Sequence, residues 1–438
     1  MTDVEIEDVN WNKAQLFKFV RPFFSVSGAG GWFYIVALFL IMSAVTAYVI
    51  IKCRPSLKIF LITIAIVIGS FIFRIFSADF VSADYRDYLS VWLDYYNTHT
   101  VAESMRSNIS NYVPLYNYFL ILFTHLPVYD LYLIKLLSTV FEMFTALALT
   151  LIIARLTKKN INPLIFAALT VFPLFILNSS VHAQSDAIYT FFGLMGFYYA
   201  LQKRSLSACV FFGLSFAIKL QAILIMPIIL VFLVTRHIKW AHLPIIPVAY
   251  FVLNAVPMFF GKSFINTYNV YFRQAGDNNE WLSLVGNVPW LFNLLAKINT
   301  VGFWFLTIQF LIITAGLIAF ILTRAVKVAK TRELTTADYV FVTFLILAVT
   351  MFFMPKMLFR FYYFTIIIGV IWLAFCPTRK NALIFAGISS VAVTQALTYL
   401  YGYNVFFFTL QAVAFVSYAV ALGFLAFGGG ANRAEITS

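Results

Sequence analysis

An all-α polytopic membrane protein with about 13 transmembrane helices is the fold class that three observations predict. Of the 438 residues, 62% are hydrophobic and only 11% are charged. Apolar runs of spanning length, roughly 17–25 residues, recur from Trp32 to Phe427. Basic residues gather in short loops between those runs, as cytoplasmic loops do. The net charge of +13 would point to nucleic acid in a soluble protein. Here the loops account for it, so nucleic acid is excluded as a partner. Three cysteines, Cys53, Cys209 and Cys376, have no paired spacing and imply neither a disulfide framework nor a metal site.

The elements follow in order. Segment 1–30 reads as amphipathic, with Trp11, Phe17 and Phe24 set against Lys13, Lys18 and Arg21. It has no basic stretch followed by a cleavage site, so no removable signal peptide is expected. Basic loops at 52–58, 155–159, 203–204, 236–239, 324–332 and 379–380 set the orientation. The runs between them, expected as spans, are 32–51, 59–76, 131–154, 163–177, 187–201, 206–218, 222–234, 243–260, 301–323, 339–354, 361–375, 382–400 and 405–427. Together 31–427 form one transmembrane domain. The pieces around Lys219 are short enough to be half-helices. This arrangement places 77–130 outside as a first large external loop with interfacial helices, and 261–300 as a second. The polar tail 428–438 lies inside. Segment 112–128 is apolar but no basic loop follows it, so it is expected to be interfacial or re-entrant.

Charged residues at the ends of apolar runs carry the functional expectation, because an ionisable group beside a bilayer is costly. Asp84, Asp87 and Trp92 lie just past the second run. A carboxylate there can take a proton from a hydroxyl or bind sugar hydroxyls. The structural alternative pairs Asp84 with Arg86 and anchors Trp92 among headgroups. The stretch Asn111-Tyr-Val-Pro114-Leu-Tyr116 reads most simply as a helix start. His182, Gln184, Asp186 and Tyr189 open the run at 187–201. Gln184 and Asp186 suit hydroxyl recognition, and Asp186 equally suits a helix N-cap. Lys219, with Gln221 and Pro227, is flanked by apolar residues on both sides. It needs an anion or a carboxylate unless it snorkels. Lys356 and Arg360 stand in a short external loop, and the arginine offers a planar fork to a phosphate or carboxylate. No glycine-rich phosphate loop, zinc spacing or serine elbow is present, so an ATP-driven machine is not expected.

The succession Asp84-Tyr…Trp92, Tyr112-Val-Pro114-Leu, Gln184-Ser-Asp186-Ala-Ile-Tyr189, Lys219-Leu-Gln221…Pro227 and Pro355-Lys356-Met…Arg360 resembles the GT-C class of integral membrane glycosyltransferases. It is most similar to bacterial relatives of the second GPI-anchor mannosyltransferase, and more distantly to glucosyltransferases that use dolichyl-phosphate-glucose. The resemblance runs roughly from Ile59 to Phe375. It implies a GT-C-like bundle and transfer of a hexose from a polyprenyl-phosphate donor, such as an undecaprenyl-phosphate sugar. The acceptor would be a cell-surface glycan or a lipid-linked oligosaccharide on the outer face of a bacterial cytoplasmic membrane. Asp84 is then the base. Lys219, Arg360 and Lys356 hold the donor phosphate. Asp87, Trp92, His182, Gln184, Asp186, Tyr189 and Gln221 shape the sugar and acceptor sites. No cofactor and no metal are expected. The sequence departs from the class where Met-His-Glu-Arg-Tyr is usual: Met357-Leu358-Phe359-Arg360-Phe361 stands there and keeps only the methionine and the arginine. Two alternatives remain. One is a lipid-linked sugar flippase, against which no pair of matching halves is seen. The other is a surface-glycan polymerase with a diphosphate donor.

Overall fold

The computed structural model describes residues 29–276, 282–295, 300–401 and 405–428. Every regular element among them is a helix. The expected amphipathic segment 1–30 lies outside the described residues except for its last two, and the tail 428–438 except for its first. Asp277, Glu280 and Trp281 of the segment 261–300, expected as a second external loop, lie outside them as well.

The bundle is built from α1 (Ala29–Cys53), α2 (Leu57–Phe76), α3 (Asp130–Thr157), α4 (Pro163–Thr170), α5 (Pro173–Ile176), α6 (Asp186–Leu201), α7 (Ser205–Ile218), α8 (Ile245–Leu253), α9 (Thr300–Thr331), α10 (Thr336–Phe353), α11 (Tyr363–Phe375), α12 (Arg379–Tyr401) and α13 (Val405–Gly428). Of these, seven are long and apolar enough to cross a bilayer: α1, α2, α3, α9, α10, α12 and α13. The α4–α5 pair, bent by 45°, is an eighth if counted as one broken span.

About 13 spans were expected, and the physical reason for the difference is helix length. The expected run at 187–201 becomes the 16-residue α6, about 24 Å at 1.5 Å per residue, shorter than a hydrocarbon core of about 30 Å. The expected pair at 206–218 and 222–234 is a chain broken at Lys219, where the backbone turns extended (φ −154°, ψ 140°). A 3-10 turn, Leu220–Ile225, follows it. Pro227 then removes a backbone donor before the short helix Ile228–Val234. The run at 243–260 divides between α8 and Val256–Phe259. In segment 112–128 the helix is Pro114–Phe123, ten residues, too short to cross.

The central packing is α6 against α7 and α3, with α7 on α8, α10 on α9 and α11, and α12 on α13. Two glycines of α6 allow this. A methyl group at Gly193 would strike the Phe364 ring of α11, and one at Gly196 would come within 2.8 Å of Phe212 on α7. Small residues let membrane helices approach in this way.

Two buried cations inside the spans were not singled out from the sequence. Arg74 of α2 is fully buried and pairs with Glu142 of α3 at 3.1 Å. Its guanidinium also donates to Thr139 (3.2 Å), Ser179 (3.0 Å), Ser180 (2.8 Å) and the Thr170 carbonyl (3.2 Å). One side chain thus ties α2, α3, α4 and the turn after α5. Lys135 of α3, also fully buried, donates to the carbonyls of Ser77 (2.7 Å), Ala78 (2.8 Å) and Phe80 (2.8 Å). It fixes the chain that leaves α2 and leads to Asp84.

Candidate active site

Four segments that leave α-helical geometry meet at one place. A π-helical turn, Tyr85–Leu89, begins immediately after Asp84. A second one, Leu177–Val181, precedes His182 and Gln184. Such turns insert an extra residue and re-aim side chains, often at functional sites. The other two are 3-10 turns: Leu220–Ile225 directly after Lys219, and Phe359–Tyr362, which contains Arg360. Two non-glycine residues here have left-handed backbones, Ala183 (φ 54°) and Lys356 (φ 59°). That region costs about 1–2 kcal/mol for a residue with a Cβ, so neighbours must hold it. The Gln184 amide donates to the Asn178 carbonyl at 3.0 Å and the Lys356 amide to the Leu282 carbonyl at 2.5 Å. Ser138 Oγ holds the Gln184 carbonyl at 2.6 Å, and Ser82 Oγ holds the His182 carbonyl at 3.0 Å. The last bond joins the Asp84 turn to the Gln184 turn.

These segments enclose a cavity of about 900 Å³. Eight of the eleven residues singled out from the sequence line it: Asp84, Asp87, Trp92, Gln184, Lys219, Gln221, Lys356 and Arg360. The other three, His182, Asp186 and Tyr189, are buried and do not line it. Asp186 stands behind Lys219, its carboxylate accepting from the ammonium at 2.9 Å. Tyr189 presents its ring to Lys219 at 5.9 Å. His182 packs its ring against Phe359 and Tyr399.

Asp84 is the most heavily engaged group. One carboxylate oxygen accepts from Arg360 Nη1 and from Gln184 Nε2 (2.9 Å); the other accepts from the Tyr399 hydroxyl at 2.5 Å. The suggested pair with Arg86 is not formed. Arg86 instead holds Asp87 at 2.7 Å, and both are largely exposed. Burial acts to raise the Asp84 carboxyl, but the Arg360 charge and the Tyr399 bond outweigh it and hold the group below the usual carboxylate range. Burial pushes His182 down to about 4 against the pull of Asp84, so it is neutral near pH 7. Asp186 opens α6, but Ser185 takes the N-cap position, which leaves the Asp186 side chain to Lys219.

Lys219 also lies over the Tyr112 ring at 5.3 Å, while Lys356 stands over Trp304 at 5.1 Å and Phe303 at 5.7 Å. Cation–π contacts of this kind hold an ammonium without neutralising it. Tyr112 donates to Gln184 Oε1 at 3.3 Å and stacks edge-on with Trp92 at 5.3 Å. Four buried polar atoms of lining residues have no hydrogen-bond partner among the described residues: Gln221 Oε1, Gln274 Oε1, Thr307 Oγ1 and Arg360 Nε. Among the described residues no three His, Cys, Asp or Glu side chains gather as metal ligands would.

Tyr399 and Tyr112 are two lining residues in contact with the Asp84–Gln184 group that were not assigned a role from the sequence. Tyr399 sits near the end of an apolar span, where a tyrosine reads as an interfacial anchor. Tyr112 belongs to the motif at 111–116, which reads as a helix start. Its neighbour Gln184 was the available signal. The cavity therefore joins two carboxylates, three cations and aromatic faces, side chains that can meet hydroxyls and an anion in one place.

A model of glycosyltransferase family 87 matches residues 111–355. The match contains Gln184, Asp186, Lys219 and Gln221, and it stops short of Asp84 on one side and Arg360 on the other. No curated protein matches the chain. The match takes in more than half of the 438 residues, and seven helices are suited to a bilayer: the chain belongs to glycosyltransferase family 87 and is a multi-pass membrane glycosyltransferase.

Proposed function

We propose that the protein transfers a hexose from a polyprenyl-phosphate sugar to a hydroxyl of a cell-surface glycan or lipid-linked acceptor. The single observation that supports this most is the shared cavity. Asp84 and Arg360, 276 residues apart, line it together with Lys219 and Lys356. A transferase with a lipid-phosphate leaving group needs a base and phosphate ligands in one place. Family membership sets the flippase alternative aside. The resemblance to bacterial relatives of the second GPI-anchor mannosyltransferase supports a monophosphate donor and an outer-face site in a bacterial cytoplasmic membrane.

In this reading the acceptor hydroxyl attacks the anomeric carbon from the face opposite the phosphate. Its oxygen forms the new glycosidic bond, and its proton passes to Asp84. The bond between the anomeric carbon and the phosphate oxygen breaks. The electron pair leaves with the polyprenyl phosphate, and the configuration inverts. Arg360, Lys219 and Lys356 stabilise the second negative charge growing on that phosphate, an electrostatic contribution often dominant in catalysis. Asp186 keeps Lys219 aimed. Gln184, Gln221, Asp87 and Trp92 meet the sugar and the acceptor, and His182 and Tyr189 support that wall from behind.

Purified protein is incubated with a synthetic polyprenyl-phosphate hexose, with and without a glycan acceptor. The expected result is an inverted glycoside and polyprenyl phosphate, formed only with acceptor and lost in Asp84→Asn. Product from a diphosphate donor alone would replace the monophosphate reading. Near-normal turnover by Asp84→Asn would remove Asp84 as the base.

A further inference from the structure

Arg360 is asked to serve two anions. Its Nη1 is bound to Asp84, while its Nε is buried and has no partner among the described residues, and the side chain lines the cavity. A carboxylate that accepts from Arg360, Tyr399 and Gln184 at once has little capacity left to take a proton from a hydroxyl. A guanidinium neutralised by a carboxylate is in turn a weaker phosphate ligand. We propose that the donor phosphate and Asp84 compete for Arg360: binding of the phosphate draws the guanidinium off Asp84, and that exchange switches Asp84 on as the base. The inference rests on the reading of Asp84 as base and Arg360 as phosphate ligand, and adds the order in which they act.

Three features favour exchange over a fixed pair. Arginine presents a planar fork that can grip phosphate through two nitrogens, and one of those nitrogens is unclaimed. The pair sits on the wall of the cavity, with the two side chains 17% and 18% exposed. Asp84 keeps Tyr399 (2.5 Å) and Gln184 (2.9 Å) when Arg360 leaves, so the carboxylate stays aimed while it loses its counter-charge. The other groups facing Asp84 do not replace that charge. His182 is neutral near pH 7, Asp87 is held by Arg86, and Lys219 is held by Asp186. Hydroxyl activation is thereby tied to an occupied donor site, which guards against proton removal when no sugar is present.

Two measurements test this. The first is binding of a short-chain polyprenyl monophosphate, with inorganic phosphate in parallel, to wild type and to Asp84→Asn. Removing the competing charge should tighten polyprenyl monophosphate by roughly 5- to 150-fold, the ordinary range of a coupling between two bound groups. Inorganic phosphate should tighten as well, because the change is at the headgroup. Unchanged or weaker binding of the lipid phosphate overturns the exchange. Tightening confined to the lipid overturns the headgroup as its source. Failure of the base reading shows separately, as retained turnover in Asp84→Asn. The second measurement needs no variant. The acid limb of kcat/KM reports the free enzyme and that of kcat the donor complex. The kcat limb should lie at higher pH, and coincident limbs overturn the proposal.

Discussion

Two arginine–carboxylate pairs in this protein use the same chemistry in opposite surroundings. Arg74–Glu142 lies between spans, 0% and 1% exposed, with serine, threonine and carbonyl partners from three helices and a turn. Arg360–Asp84 lies on a cavity wall, 17% and 18% exposed, with one guanidinium nitrogen left over. The first pair has no room for a third ion. The second has room, and an unused donor to meet it. A buried pair whose guanidinium nitrogens all donate acts as a staple, even with Glu142 Oε1 left without a partner among the described residues, whereas a pair beside a cavity with a guanidinium nitrogen left over is suited to exchange. Chemistry alone does not separate the two roles; burial and the partners of each guanidinium do.

The largest effect expected from this contrast is on stability. Arg74→Leu leaves Glu142 buried without its counter-charge, which costs about 3–5 kcal/mol for a broken buried pair. Thermal unfolding in detergent should show the loss, and Arg74→Leu/Glu142→Leu should recover much of it. Turnover per folded molecule should change little. A variant of normal stability with lost turnover would move Arg74 into the catalytic group and end the comparison.

Lys135→Met should come next. It strips the ammonium from three carbonyls in the chain leading to Asp84. Loosening that chain should lower kcat by up to about 100-fold, the scale on which small misplacements act, with donor KM little changed. A change confined to KM would place this strap on the donor side.

How much of this was legible in the sequence follows from the same physics. Asp84, Lys219 and Arg360 stood out because each interrupts or borders an apolar run. Their meeting in one cavity rests on breaks such as the extended Lys219 backbone and the left-handed Ala183, which hydropathy does not encode. Arg74 and Lys135 were concealed for the opposite reason. Each sits inside a run apolar enough to read as a plain span; the partners of Lys135 are carbonyls that carry no charge signal, and the carboxylate partner of Arg74, Glu142, lies 68 residues away inside another such run. The count of about 13 spans is not confirmed for a related reason: pieces of 14 to 16 residues such as α6 and α7 are apolar without spanning length. Tyr399 was hidden by distance, 315 residues from the carboxylate it holds.

Tyr399→Phe sharpens the cavity side of the comparison. It removes one hydroxyl from Asp84, a bond to a charged group worth about 1.5–3 kcal/mol. That bond favours the carboxylate form and depresses its pKa. Without it the folded-state value rises, so the acid limb of kcat/KM should move to higher pH. An unmoved limb would assign the hydroxyl to packing alone.

Lys262 supplies the third case, a cation for which no carboxylate partner stands among the described residues. Its ammonium donates to the Ser107 carbonyl at 2.5 Å. Burial, with the Arg273 charge, pushes it down to about 8 from 10.5. Between those values the unfolded chain binds a proton that the folded protein does not, so stability should rise as pH rises across that window. Lys262→Met should flatten the rise, read as the unfolding temperature in detergent from pH 8 upward. The shift should be the smallest of the four, because the side chain is only partly buried. An unchanged slope would mean that Lys262 meets an anion when the protein is in solution, and would place it with the paired arginines.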